Sequence, residues 1–351
     1  MKPFEGVRRI VLIRLSSLGD VLLTTALLRQ LRKGFPEAEL VAVVRQPYGE
    51  LLRYNPRLGR LIECTCTGGF WQQWRQGREL RRGLAAPHRE LLIVDLQRNL
   101  RSWALRCGPR AGLLCAPKER LRKLLLVYAK RWGWWRLPSV PERYHRAVAP
   151  LQVEDDGEGL ELWLPEEQQQ PQYPPLRRAH ARELRRIALA PGARHATKRW
   201  TEEGFIALGQ ALVRQGGQVV LVGSPQEREL CRRIAEGVGE GAELCCTDSV
   251  LEAARCLDRC DAVVSNDSGL VHVAAARRVP VVVLYGSTVP ELGFAPFRVP
   301  AVVVQYPLPC RPCTHIGRKR CPLGHFACMR RIQPHHVLNA LQVLQERLQA
   351  P

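Results

Sequence analysis

Short apolar runs alternate with amphipathic stretches along this chain, and the alternation occurs twice. In the first half, Val7–Leu15, Leu40–Val44, Leu61–Glu63 and Glu90–Asp95 centre on aliphatic residues without an in/out rhythm. This is how parallel strands covered on both faces read. The stretch from Val21 to Lys33 has apolar residues at 21, 22, 27, 28 and 31 and stops at Gly34, with Pro36 beyond; it predicts a helix and its end. A further helix is expected near Pro47–Tyr54. In the second half, strands at Ile187–Ala190, Gln218–Val222, Glu243–Cys246, Ala262–Val264 and Val281–Leu284 are separated by helices over Thr201–Arg214, Gln226–Glu236 and Leu270–Arg277. An amphipathic helix over Pro334–Gln349 closes the chain, with Val337, Leu338, Leu341, Leu344 and Leu348 on its apolar side.

Between the two series lies PEEQQQPQYPP, polar and proline-rich, which reads as a linker. The pattern predicts two doubly wound α/β domains facing across a cleft: a first over 1–165, a linker over 166–185, and a second over 186–333.

Composition supports two cores, with 351 residues of which 46% are hydrophobic. No run approaches the roughly 18 apolar residues of a membrane span. The start, MKPFEGVRRIVLIRL, is too quickly interrupted for a secretory signal and reads as strand. Thirteen cysteines, several inside core elements (Cys231, Cys256, Cys260), favour a reducing cytosol over a disulfide framework.

The formal net charge is +20, and Arg75–Arg146 holds 18 Lys or Arg against 5 Asp or Glu. Such a surface suits nucleic acid, anionic membrane or a phosphorylated substrate; arginine inflated by a GC-rich genome is the plain alternative. Within it, Leu121, Leu124, Leu125, Tyr128 and Trp132 recur at helical spacing among Arg120, Lys123, Lys130 and Arg131, and Trp134, Trp135 and Arg136 follow. This is either a helix lying in a membrane interface or a core helix with solvated charges.

Three turns carry candidate chemistry. The first strand runs into Ser16-Ser17-Leu18-Gly19-Asp20. Neither G-x-G-x-x-G nor G-x-x-x-x-G-K-[ST] is present, so dinucleotide and P-loop readings lose support. Asp20 reads either as a carboxylate on a helix N-terminus or as a catalytic group. Pro191-Gly192-Ala193 leads to Lys198-Arg199-Trp200. In DAVVSNDSGLVHVAAARRVPVVVLYGST (261–288), Ser268 suits an N-cap, Gly269 allows close approach of a ligand, and the first N–H groups of the helix suit a pyrophosphate. His272 sits in the same first turn. After Glu90–Asp95, Arg98 and Arg101 either meet acceptor phosphates or are solvated helix charges.

These stretches, N-D-S-G-L-x-H-V-A-A-A followed by P-V-V-x-L-Y-G-S-T together with the two earlier turns in the same order, resemble the ADP-heptose:lipopolysaccharide heptosyltransferases, glycosyltransferase family 9, over nearly the whole chain. The likeness leans toward the second-heptose branch. It implies the GT-B architecture, with the C-terminal helix 334–351 packing back on the first domain. It also implies an inverting transfer of heptose from ADP-heptose to the phosphorylated inner core of lipopolysaccharide, on the cytoplasmic face of the inner membrane. By position in the motifs, Asp20 is the general base, with Lys198 and His272 the other catalytic groups. Donor contacts fall to Ser16, Gly19, Gly192, Arg194, Lys198, Glu227, Asp267, Ser268, Gly269, Leu270 and His272. Where some members have hydroxyl residues after the glycine loop, this chain has Arg194 and His195. A lysine with a helix N-terminus can do what Mg²⁺ does elsewhere, so no catalytic metal or other cofactor is required.

Two other functions compete with this reading. One keeps the fold and changes the sugar or acceptor. The other, a nucleic-acid-binding protein, rests on charge alone and leaves Asp20 and the glycine turns unexplained, so nucleic acid is not an expected partner. Finally, Cys310-x2-Cys313-x7-Cys321-x6-Cys328, with His315 and His325 interleaved, has the look of a structural tetrathiolate site for Zn or Fe, although it lacks the paired C-x2-C of a zinc ribbon.

Overall fold

The computed structural model describes residues 6–65, 74, 75, 77–79, 90–106, 112–130, 136–169 and 183–350. The middle of the expected linker, and Arg131, Trp132, Trp134 and Trp135, lie outside them. The chain divides into two units, residues 1–118 with 140–173 and residues 119–139 with 174–351.

The first unit is built on β1 (Arg9–Ile13), β2 (Glu39–Arg45), β3 (Arg60–Cys64), β4 (Leu91–Asp95) and β5 (Gly112–Cys115), in the order β3-β2-β1-β4-β5. All pairings are parallel; Ile13 stands beside Val43 on one side and Asp95 on the other. Strand order reverses between β1 and β4, the place where doubly wound sheets bind ligands beyond their C-terminal ends. The segment returning after the helix Val140–Ala147 is held by buried charge. Arg29, on the helix Thr25–Gly34, meets Asp156 at 2.6 Å and Glu161 at 3.2 Å.

The helix expected over Val21–Lys33 is two helices, Leu18–Leu22 and Thr25–Gly34. Thr24 Oγ1 donates to the Val21 carbonyl and Thr25 Oγ1 to the Leu22 carbonyl, each at 2.7 Å. Hydroxyls bonded back onto the preceding turn compete with the helical ladder and bend it.

The second unit holds β6 (Arg186–Ala190), β7 (Gln218–Gly223), β8 (Ala242–Cys246), β9 (Ala262–Asn266), β10 (Val281–Tyr285) and β11 (Ala301–Gln305), in the order β11-β10-β9-β6-β7-β8 and again all parallel. Its switch point lies between β6 and β9. The strands β5 and β11 are additions to the sequence reading. Both are edge strands, with Leu113 49% and Val303 37% exposed.

Two expectations are corrected here. The C-terminal helix Pro334–Gln349 belongs to the second unit: Val337, Ala340, Leu341 and Leu344 join the core of Val282, Leu284 and Val304. Residues 119–139 leave the expected first domain. Leu126 and Leu137 pack with Val289 and Leu292, the Leu137 N–H donates to the Glu291 carbonyl at 2.9 Å, and Lys130 Nζ donates to the Pro309 carbonyl at 2.8 Å. Among the cysteines, Cys245 and Cys256 are joined in a disulfide.

Candidate active site

The second switch point brings the loops after β6, β9 and β10 to one place. Asn266, fully buried at the end of β9, is the bolt. Its Nδ2 donates to the Pro191 carbonyl at 2.8 Å and its Oδ1 accepts the Trp200 N–H at 2.9 Å, so one amide holds both ends of the 191–200 loop. The next residue, Asp267, is met at Oδ2 by Lys198 Nζ at 2.7 Å and by Thr288 Oγ1 at 2.6 Å. Three loops thus converge on one carboxylate, with a lysine 16% exposed at its side chain.

Gly192 faces Glu227. A Cβ at 192 would lie 1.9 Å from Glu227 Oε1, so only glycine lets the carboxylate approach. Glu227 ends the 3₁₀ turn Pro225–Glu227, and its Oε2 accepts the Ser224 N–H and hydroxyl, both at 2.9 Å. Glycine and carboxylate, 35 residues apart in number, form one surface beside the Lys198 loop.

Ser268 stands at the N-cap of Gly269–Ala276 with extended backbone, but its hydroxyl does not close on the helix. It lies 3.4 Å from Ser265 Oγ instead, which leaves the first-turn N–H groups of Gly269 and Leu270 uncapped by that side chain. His272 is buried within the first turn. Arg194 is exposed, while the His195 pKa is held below the usual histidine value by partial burial and by the Lys198 and Arg194 charges.

In the first unit the turn after β1 is organised by Asp20. Its Oδ2 accepts the Ser17 N–H at 3.2 Å and the Ser17 hydroxyl at 3.0 Å, and its Oδ1 meets Arg14 Nη2 at 2.7 Å. Burial alone would raise the Asp20 pKa. The Arg14 charge and hydrogen bond, with those from Ser17, reverse this and hold it below the usual carboxylate value. Ser16 is half-buried and Gly19 is buried in the helix Leu18–Leu22.

The sequence model of glycosyltransferase family 9 (heptosyltransferase) matches residues 80–323. The chain belongs to that family. It is a glycosyltransferase, similar to lipopolysaccharide heptosyltransferase 1 of Pseudomonas aeruginosa, with 27% identity over 96% of this chain and 98% of that one. Its fold is that of a family 9 glycosyl transferase from Veillonella parvula (TM-score 0.74, 21% identity, 97% and 98% covered). It is also that of the E. coli heptosyltransferase WaaC solved with ADP (TM-score 0.66, 20% identity, 97% and 99% covered). The two parallel-sheet α/β units are those of the GT-B heptosyltransferase structures.

In this glycosyltransferase several shaping groups escaped the sequence reading. Arg311 is 1% exposed. It donates from Nε to the Gly286 carbonyl, from Nη1 to the Tyr306 carbonyl at 2.8 Å, and from Nη2 to the Thr288 carbonyl at 2.8 Å and Gln305 Oε1 at 3.1 Å. It therefore sets the loop that carries Thr288 to Asp267. Thr197 Oγ1 lies 2.9 Å from Ser287 Oγ and accepts the Arg318 N–H at 2.8 Å. Asp95, fully buried at the end of β4, accepts the Gln97 and Arg98 N–H groups at 3.0 and 2.7 Å and the Ser102 hydroxyl at 2.9 Å.

Of the two arginines assigned to the acceptor, Arg98 turns back, with Nη1 donating to the Ala116 carbonyl at 3.2 Å, and Arg101 is exposed on the helix Leu100–Arg106.

The tetrathiolate expected of Cys310, Cys313, Cys321 and Cys328 is not assembled. Among the described residues no three His, Cys, Asp or Glu side chains are gathered to hold a metal. Cys310 Sγ lies 3.9 Å from His325 Nε2, Cys313 Sγ is directed at the Ser287 carbonyl at 3.9 Å, and Cys328 is in the core, where burial pushes its thiol up to about 11.

Proposed function

We propose that this enzyme transfers heptose from ADP-heptose to the phosphorylated inner core of lipopolysaccharide, with inversion. The observation that carries this is the convergence of Lys198, Asp267 and Thr288 at the switch point of the second sheet. Lys198 supplies the positive charge that the departing diphosphate needs, beside the uncapped N–H groups of Gly269 and Leu270. Glu227 takes the ribose hydroxyls, its carboxylate seated against Gly192. Asp20 takes the proton from the acceptor hydroxyl as the glycosidic bond forms and ADP leaves.

Purified protein with ADP-heptose and heptose-deficient lipopolysaccharide should release ADP, and Lys198→Ala should lower kcat/KM by about 10²–10³-fold. ADP binding without turnover points instead to another sugar or acceptor; absence of ADP binding removes the donor-site reading.

The acceptor's setting is the anionic inner-membrane surface. Among the described residues no helix is long and apolar enough to cross a membrane. The helix Arg120–Tyr128 exposes Leu121, Leu124 and Tyr128 at 71%, 56% and 74%, beside Arg120, Arg122 and Lys123, while Leu126 and Val127 face inward. An apolar stripe flanked by cations suits an interface with acidic lipid, each cation contributing about 1 kcal/mol. Co-sedimentation with anionic vesicles is expected to exceed that with neutral ones and to fall in Leu121→Glu/Leu124→Glu. Equal sedimentation with both lipids overturns this docking.

A further inference from the structure

Arg14 stands out as a half-buried cation, its side chain 16% exposed, to which neither the motifs nor the proposed mechanism give a part. It leaves the end of β1 and reaches two partners: Nη2 meets Asp20 Oδ1 at 2.7 Å, and Nη1 donates to the Leu96 carbonyl, at the end of β4, at 2.8 Å. Its guanidinium lies over the Tyr144 ring, 5.8 Å from the centroid. The side chain therefore spans the first switch point and is clamped on three sides. Arginine's planar fork suits this task, because one rigid group satisfies two acceptors in fixed directions.

The lone pairs of Asp20 can be counted. A carboxylate offers about four acceptor positions, two on each oxygen. Both positions on Oδ2 are taken by the Ser17 N–H and hydroxyl, and one on Oδ1 is taken by Arg14. The position left over belongs to Oδ1.

We propose that Arg14 is a positioning residue for Asp20, holding the carboxylate as an anion turned so that the remaining lone pair of Oδ1 receives the acceptor's proton. The inference rests on Asp20 being the base. The other titratable or charged groups in this cluster are Tyr144 on the helix Val140–Ala147, Arg143 acting on Tyr144, and Asp95 acting on Arg14. Among the described residues the buried Tyr144 hydroxyl has no hydrogen-bond partner, and burial pushes its pKa well above the tyrosine value, so that group stays neutral.

The test is the pH profile of kcat/KM, whose acidic limb reports the base in the free enzyme. Without Arg14, burial dominates at Asp20, and in Arg14→Gln the limb should move up by about 1–3 pH units, the usual influence of an adjacent opposite charge. The KM for ADP-heptose should change far less than the limb, because the groups proposed for its diphosphate and ribose belong to the second unit. Arg14→Lys keeps the charge and should keep the limb. Its compact ammonium loses the second tether, so kcat should fall, by up to about 10²-fold for a displacement near 1 Å. Tyr144→Phe should leave the limb in place.

An unmoved limb in Arg14→Gln, with turnover lost in Asp20→Asn, overturns the proposal alone. Turnover that survives in Asp20→Asn removes the base reading and the proposal together. Should Arg14→Gln not fold, undiminished kcat in Arg14→Lys overturns the positioning role.

Discussion

Asp20→Ala is expected to reduce ADP-heptose turnover by about 10²–10⁴-fold, the usual contribution of a positioned general base, while ADP binding persists. The two readouts separate because the residues proposed for the diphosphate and ribose, Lys198, Gly192, Glu227 and the Gly269 turn, all belong to the second unit. Alanine also removes the acceptor of the Ser17 N–H and hydroxyl. Some loosening of the helix Leu18–Leu22 follows, on the scale of a lost cap, about 1 kcal/mol. Asp20→Asn is therefore the cleaner companion, since its amide oxygen can still accept from Ser17 but cannot take a proton. Isothermal titration with ADP and a coupled ADP-release assay read the two quantities. Turnover in both variants close to wild type would leave Asp20 as a helix-capping carboxylate and nothing more.

Arg311→Ala is the substitution expected to cost most in stability. The guanidinium is buried, and burial lowers its pKa. It is held by carbonyl oxygens of Gly286, Thr288 and Tyr306 and by Gln305. Its removal orphans the buried carbonyls of Gly286 and Thr288, at about 1–3 kcal/mol each, and the part-buried one of Tyr306, and it opens a cavity. With partial relaxation, a loss of about 3–5 kcal/mol is the scale for breaking such a cluster. For a unit of this size each kcal/mol moves Tm by about 2–4 °C, so the second unit's transition should fall by roughly 10 °C. ADP affinity should weaken as well, because the 286–288 loop carries Thr288 to Asp267. Scanning calorimetry with and without ADP reads both effects, and Arg311→Lys should rescue little, since three donors on a point charge do not reproduce the fork. A variant with unchanged Tm and ADP affinity would falsify the clamp.

The sheets were legible because their central strands are buried on both faces and carry continuous aliphatic runs, Ile10–Ile13 and Val281–Leu284 among them. The two edge strands were passed over for different reasons. β5 is only four residues long and half exposed. β11 offered a readable signal, AVVVQ with Pro300 before it and Pro307 after. The break in the helix expected over Val21–Lys33 was also visible, as consecutive threonines at 24 and 25.

Lys198, Asp267, Glu227 and Gly192 could be named because they lie in or beside short local motifs. Asn266, Arg14 and Arg311 could not. Asn266 bonds to residues 66 and 75 positions away, and Arg14 reaches Leu96 across 82. Lysine and arginine together number 53 here, so one more arginine carries no signal until the topology shows what it faces. The cysteine spacing does not decide a metal site by itself, because intervals along the chain do not fix where the side chains meet.

The division of the chain also governs how the protein can be cut and recombined. Residues 119–139 leave the first unit and return to it, so the polypeptide passes between units three times, near residues 118, 139 and 173. A single break in the proline-rich segment does not release two whole modules. The N-terminal fragment would carry Leu126 and Leu137 without Val289 and Leu292, the residues they pack against, and would expose a sticky apolar insert. A chimera that exchanges sugar-donor modules between relatives must therefore move 119–139 together with the C-terminal half, as a discontinuous graft.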